Sequence, residues 1–506
     1  MRISETVYAA LEAVVGADNI SAKEYVLAGN RVKTPEIPFE YHSADAIVMP
    51  RSTEEVAEII KICNQYGVIF IPTISGASVD AFANREGSIL INLCRMNRII
   101  DINETDRYAV IEAGVRHVQL YPELRKRGWS YTAASVGPGG SVVSNFTSTS
   151  GDHHTQHASS RANRYLLGVE MVLPNGEIIR TGSLHADKGW FCPDGPGPGL
   201  RGIVKGYCGS HGQMGIITKA AIAIDPCRGP AEFISEGISP HFRTRFDSEC
   251  SRVYVYNYSD IHDVCEAMLR LGEAEIGSTV QKYFYVPLTL LMTDSANEFW
   301  QKWEDGYREA MSMPLIVHLA PRSERELAYE ERILEDIIAE TGGKRLPREL
   351  ESWWEDNMDF FMIVGRLQGV LRLGGGWMPV KLASDSVTHM CEIGASLGEY
   401  FSEYMGEGKL LYAPENYQII PMEYGHFAHI EVMIMWDRYN PNSGKALAGF
   451  RARSRKEDIE RHFHGETPGC LNATMEEIGP LWSNCNVWMR KLKEKFDPNN
   501  IANPLL

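Results

Sequence analysis

The sequence predicts an α+β protein built in two parts. Up to about residue 228, short apolar strands lie close together with helices interspersed; beyond it, longer helical stretches alternate with isolated strands. Four glycine-marked turns punctuate the first part, each beside an apolar run. They are Pro72-Thr73-Ile74-Ser75-Gly76-Ala77-Ser78, Gly139-Gly140-Ser141 running on to Asn145, Gly168 to Glu177, and Gly209 to Thr218 with Gly215-Ile216-Ile217 at its end. Glycines let the main chain approach an anion closely, and successive N–H groups can then solvate a pyrophosphate. Four such turns in this order read as a dinucleotide cradle. No G-x-G-x-x-G opening a helix after a strand is present, so the cradle is not a Rossmann one.

The elements follow in order. Ile3, Val7, Leu11 and Val14 form the stripe of a short amphipathic helix. Ser52 and Glu55 make a capping box ahead of Val56, Ile59, Ile60 and Cys63, and Gly67 closes that helix. Val68–Ile71 and Ile89–Leu93 read as buried strands, and Tyr108 to Glu112 as a strand entering a turn at Gly114. His117–Arg127 reads as a helix stopped by Gly128. Leu166–Leu173 and Glu177–Arg180 flank Asn175-Gly176, a strong hairpin signal. Gly189–Gly206 is rich in Gly and Pro and reads as a surface excursion. After Cys227-Arg228-Gly229-Pro230 come helices over Ile261–Leu271, Glu324–Glu340 and Asp385–Gly398. Strands are expected at Tyr283–Val286, Leu315–Leu319 and His429–Trp436.

Bulk properties narrow the function. A net charge of −16 over 506 residues argues against nucleic-acid or anionic-membrane partners. No run approaches the roughly 20 apolar residues of a membrane span. The ten cysteines include no C-x-x-C pair, which argues against iron–sulfur clusters and structural zinc. Scattered thiols fit a reducing compartment, and a glycan on the sequon Asn145-Phe146-Thr147 would block the second loop, so a cytoplasmic location is expected. His153 and His157 have the spacing of a helical metal pair but no evident third ligand, and no metal is expected.

The order of the loops from about Asp45 to Asp225, with Phe496-Asp497-Pro498-Asn499-Asn500-Ile501-Ala502-Asn503-Pro504 at the C-terminus, resembles the vanillyl-alcohol oxidase / p-cresol methylhydroxylase flavoproteins, a superfamily that includes glycolate oxidase and D-lactate dehydrogenase. The resemblance implies a PCMH-type, two-subdomain FAD-binding domain over residues 1–228, an α+β cap domain over 229–465, and a segment 466–506 returning to the first domain. It implies FAD held by the residues 72–78, by Gly139, Gly140, Ser141 and Asn145, by Gly215, Ile216 and Ile217, and by Asn503. The implied activity is oxidation of an alcohol or 2-hydroxy acid by hydride transfer to the flavin. Phenol side-chain oxidation, or a flavin subunit that only relays electrons, are the alternatives. A separate electron-acceptor protein and a homo-oligomer are expected.

Such chemistry needs a base for the substrate hydroxyl and a cation at the flavin edge. The segment Glu423 to Glu431 supplies His426 and His429; His429 matches one histidine of the vanillyl-type pair, with Ala428 as its neighbour. Arg372 and Lys381, around Gly374-Gly375-Gly376-Trp377, are the candidate cations. Trp353, Trp354, Phe360 and Phe361 are read as core aromatics able to line a pocket. Several family positions differ. Ala77 replaces the histidine of bicovalent members, and Ala81, Val136, Cys470 and Leu471 stand about where phenol oxidation has its side chains. Gly465-Glu466-Thr467 keeps only the glutamate of the hydroxy-acid metal motif. The flavin is therefore expected to be non-covalent.

Overall fold

The computed structural model describes residues 3–30, 42–75, 85–131, 137–147, 156–182, 200, 202, 211–227, 233–238, 242–246, 248–358, 380–410, 415–437, 439–463, 465–466 and 476–504. Gly189 to Pro198 therefore lie outside the described residues.

In the first subdomain, β1 (Ile20–Ser21), β2 (Ala46–Val48), β3 (Ile69–Thr73) and β4 (Ser88–Asn92) form a sheet in the order β1-β2-β4-β3. β3 and β2 both run parallel to β4, which requires a crossover between β2 and β3. The helix Thr53–Tyr66 makes that crossover. Ser52 caps it by accepting from Glu55 N at 3.2 Å, and Gly67 ends it in the left-handed region at φ 65°. The Glu55 carboxylate accepts from Arg51 N–H at 2.8 Å, one residue earlier than a capping box would have it. Val56, Ile59, Ile60 and Cys63 bury against Val7 and Leu11 of the helix Glu5–Val15. Val15 completes that stripe as a fully packed residue, and Val14 lies at its margin.

The second subdomain contains β5 (Ile99–Asn103), β6 (Tyr108–Glu112), β7 (Trp129–Ser130), β8 (Leu166–Val172), β9 (Ile178–Arg180), β10 (Ile216–Ala223) and β11 (Asp225–Pro226). Five form an antiparallel sheet in the order β5-β6-β10-β8-β9, and β7 pairs with β11. Gly176, at φ 84°, turns the β8–β9 hairpin. Glu170 locks the two subdomains together. It is 2% exposed and accepts from Thr53 Oγ1, Arg180 Nε and Lys219 Nζ, each at 2.7 Å. Burial pushes its pKa up, but the bonds from Lys219, Thr53 and Arg180 outweigh it and hold the carboxyl below its ordinary range.

Beyond a hairpin of β12 (Phe233–Glu236) and β13 (Arg243–Phe246), the second domain is an eight-stranded sheet. Its strands are β14 (Arg252–Tyr258), β15 (Thr279–Lys282), β16 (Met313–Leu319), β17 (Lys344–Arg345), β18 (Val380–Asp385), β19 (Gln418–Met422), β20 (Phe427–Met433) and β21 (Gly465–Glu466). They are ordered β17-β14-β16-β15-β19-β20-β18-β21. The strand expected at Tyr283–Val286 is not one. β15 ends at Lys282 and a helix begins at Tyr285, with Pro287 in its first turn, where a missing N–H costs nothing. A short apolar run fits either period, and burial on all sides erased the difference.

Helices Ile261–Glu273, Glu324–Thr341 and Val387–Tyr400 cover one face of this sheet. Tyr258 meets Thr341 on that side at 3.0 Å, and Ala428, Ile430 and Val432 share a core with Val387 and Met390. Among the described residues no helix is long and apolar enough to cross a membrane. After the helix Cys485–Phe496 the chain returns to the first sheet, where Ala502 bridges Phe70 and Asn503 N–H bonds Phe70 O at 2.9 Å.

Candidate cofactor and active site

Three of the glycine turns meet where β3, β10 and the C-terminal segment end. Gly212 sits at φ +77°, and a Cβ there would stand 2.3 Å from Pro72 Cγ, so the last loop lies directly on the first. At Gly215, φ is +124° and a Cβ would reach 2.3 Å from Val172 O. Only glycine serves both positions. Asn503 Nδ2 donates to His211 O at 2.6 Å. Lys493 Nζ donates to Gln213 O at 3.0 Å, to Ala502 O and to the Asp497 carboxylate. Pro72, Thr73, Ile74, Ser75, Gly215, Ile216, Ile217 and Asn503 are thus gathered in one region. Gly76, Ala77 and Ser78 lie outside the described residues.

The second loop is anchored beside them. Ser141 Oγ donates to Ala113 O at 2.8 Å while Ala113 N–H bonds Thr218 O at 2.9 Å, so this loop and β10 share one residue. Among the described residues Gly139 has no atom within 4 Å of where its Cβ would stand, and the residue is exposed. A glycine main chain open on one side, beside two glycine-only conformations, fits a dinucleotide cradle.

Sequence reasoning missed His117. It is buried, with Nδ1 2.6 Å from the Tyr131 hydroxyl and Nε2 2.5 Å from Asn145 Oδ1. Burial pulls its pKa down to about 4, against the effect of the Asn145 bond. The neutral ring donates from Nε2 to Asn145 and accepts from Tyr131 at Nδ1. Asn145 is thereby oriented from behind, and at 2% exposure it is no glycan acceptor in the folded chain. The signal available in the sequence was only a histidine opening a helix, which is too common to single out.

The other face of the large sheet, opposite the three covering helices, carries the remaining candidate side chains. Its rows follow from the register: Ser384, His429 and Ile420 in one, Leu382, Glu431 and Gln418 in the next. Phe427, on the same face, lies under the guanidinium groups of Arg161 and Arg164 at 5.6 and 5.0 Å, and both arginines belong to the FAD-side domain. The Phe427 end of this face therefore meets the FAD-side domain. His429 is fully buried, with Nδ1 2.8 Å from Ser384 Oγ. Gln418 Nε2 donates to Gln281 Oε1 at 2.7 Å beside Glu431. Tyr283 continues the face beyond Gln281; burial and then the Glu431 charge push its phenol well above the ordinary range. Trp354 packs edge-on against Tyr283 at 5.5 Å between centroids.

Two expectations are corrected. Lys381 pairs with Val432 and so points to the helix-covered face, where Nζ binds Asp458 at 2.6 Å and Ser454 at 2.7 Å. Alternation along one strand sends Lys381 and Ser384 to opposite faces, so Lys381 does not share a site with His429. His426 is exposed in the turn before β20 and does not join His429. Arg372, Gly374-Gly375-Gly376-Trp377, Phe360, Phe361, His153 and His154 lie outside the described residues. His157 is a tether: its Nδ1 is 3.1 Å from Ile276 O and its N–H bonds Ser278 O at 2.8 Å, fixing the first domain to the cap. Among the described residues no group of His, Cys, Asp and Glu could hold a metal.

The comparisons bear on the domain and the fold. Residues 44–182 match the family model described as FAD binding domain. The chain is 29% identical over 206 residues to glycolate oxidase subunit GlcD of Bacillus subtilis, covering 39% of this chain and 41% of that protein. It is 31% identical over 240 residues to 1'-carboxy-chondrochloren decarboxylase of Chondromyces crocatus, covering 44% and 40%. The chain thus spans about two fifths of the length of these curated relatives. The fold matches that of p-cresol methylhydroxylase with substrate bound at a TM-score of 0.77 and 17% identity, over 99% of this chain and 96% of that one. This is a chain with an FAD-binding domain joined to a cap. More particularly, it has the PCMH-type flavoprotein fold over its whole length.

Proposed function

We infer that the chain is an FAD-dependent oxidoreductase acting on an alcohol or 2-hydroxy acid. The supporting observation is His429, fully buried, held by Ser384, and on the face of the cap sheet whose Phe427 meets Arg161 and Arg164 of the FAD-side domain. FAD in the cradle supplies a two-electron acceptor for the substrate C–H hydride. Removing that hydride requires the hydroxyl proton to leave, and a neutral imidazole titrates in the range suited to receive it. Ser384 fixes the ring; Gln281, Gln418 and Glu431 offer hydrogen-bonding atoms to the substrate's polar groups. A phenolic substrate is the second reading, favoured by the Tyr283–Trp354 pair on the same side.

Anaerobic incubation with a panel of alcohols, 2-hydroxy acids and phenols should bleach the flavin with at least one class. If only dithionite bleaches it, the chain relays electrons and oxidises nothing itself. No cysteine pattern here could carry a cluster, so electrons are expected to leave to a separate protein. Oxygen admitted to the bleached sample should then restore colour slowly; recovery as fast as with artificial dyes would remove the need for that partner.

The flavin is expected to be non-covalent, since Ala77 stands in the first loop and the His429 ring is engaged by Ser384. Acid precipitation should release the yellow colour to the supernatant. Colour retained in the pellet would refute non-covalent attachment.

A further inference from the structure

We propose that the Gln213 carboxamide is a recognition group for a heterocycle of FAD, reading a ring edge that carries a hydrogen-bond donor beside an acceptor. Gln213 is fully buried at 0% exposure, and neither Oε1 nor Nε2 has a hydrogen-bond partner among the described residues. A buried amide without partners is destabilising, and native proteins rarely keep one unless something else binds it. Its neighbours prevent escape to water. Gly212 is pressed on Pro72, Gly215 on the Val172 carbonyl, and Lys493 holds the backbone carbonyl of Gln213 itself at 3.0 Å.

Position and chemistry narrow the ligand. The side chain belongs to the loop that joins Pro72, Ile216 and Asn503, the groups gathered for the cofactor. Methionine has nearly the same volume and no polar atom, so packing alone gives no reason for an amide here. A carboxamide offers one acceptor oxygen and two N–H donors. A pyrophosphate offers acceptors only and would leave Oε1 unbonded. The amino edge of adenine and the pyrimidine edge of isoalloxazine each present a donor next to an acceptor, and either satisfies both ends of the amide.

Apoprotein produced in flavin-starved cells allows the two sources to be separated. FAD, ADP and FMN are titrated against wild type and Gln213→Met, and the melting temperature of each apoprotein is recorded. Gln213→Met should weaken FAD binding about 10-fold or more, the scale of one or two lost hydrogen bonds. ADP should weaken in parallel if adenine is the partner, and FMN if isoalloxazine is, with the other fragment unchanged. The apoprotein should melt no lower than wild type, because a destabilising buried amide has been removed. FAD affinity unchanged within about 2-fold overturns the proposal, as does equal weakening of both fragments, which marks a collapsed loop. If Gln213→Met does not fold, Gln213→Glu, which keeps the shape and removes the N–H donors, is judged by the same criterion.

Discussion

His429→Asn is expected to leave FAD bound while slowing its anaerobic reduction by substrate on the order of 100-fold or more, the scale on which a general base contributes. Asparagine keeps a hydrogen-bonding atom for Ser384, 2.8 Å from the native Nδ1, but has no basic nitrogen. The burial of His429 sharpens the expectation, because a base shut away from bulk water has no neighbouring solvent to substitute for it. The visible flavin spectrum reports cofactor retention, and stopped-flow bleaching reports the rate. A rate equal to wild type with FAD retained removes His429 from the mechanism.

Lys493→Met should destabilise the fold by about 3 kcal/mol or more, the range for breaking a buried ion pair from one side. Lys493 and Asp497 have side-chain exposures of 6% and 1%. The lysine also ties the Gln213 and Ala502 carbonyls, so its loss should loosen the last glycine loop and weaken FAD binding as well. Lys381→Met breaks the comparably buried Lys381–Asp458 pair but lies on the helix-covered face of the cap sheet, so it should destabilise without changing FAD affinity. Urea unfolding and FAD titration of both variants test this. Equal FAD affinity in wild type and Lys493→Met would show that the C-terminal latch does not shape the cradle.

The sequence by itself determined most of the elements and the glycine-only turns. Capping at Ser52, the turn at Gly176 and the helix stop at Gly67 are local effects, settled within a few residues, and each formed where the chain's own chemistry put it. The glycine loops were legible for a related reason: positive φ and close backbone approach leave glycine almost no substitute. Only the tertiary structure decided which side chains share a site. Lys381 and His429 both lie on strands of one sheet, yet the antiparallel register sends them to opposite faces, and a register is a property of two strands rather than one. His117 became visible only once the chain brought Asn145 to its Nε2 and Tyr131 to its Nδ1. The pairing of Gln418 with Gln281 joins residues 137 positions apart. Such contacts are fixed by strand order and burial, which no window of sequence contains.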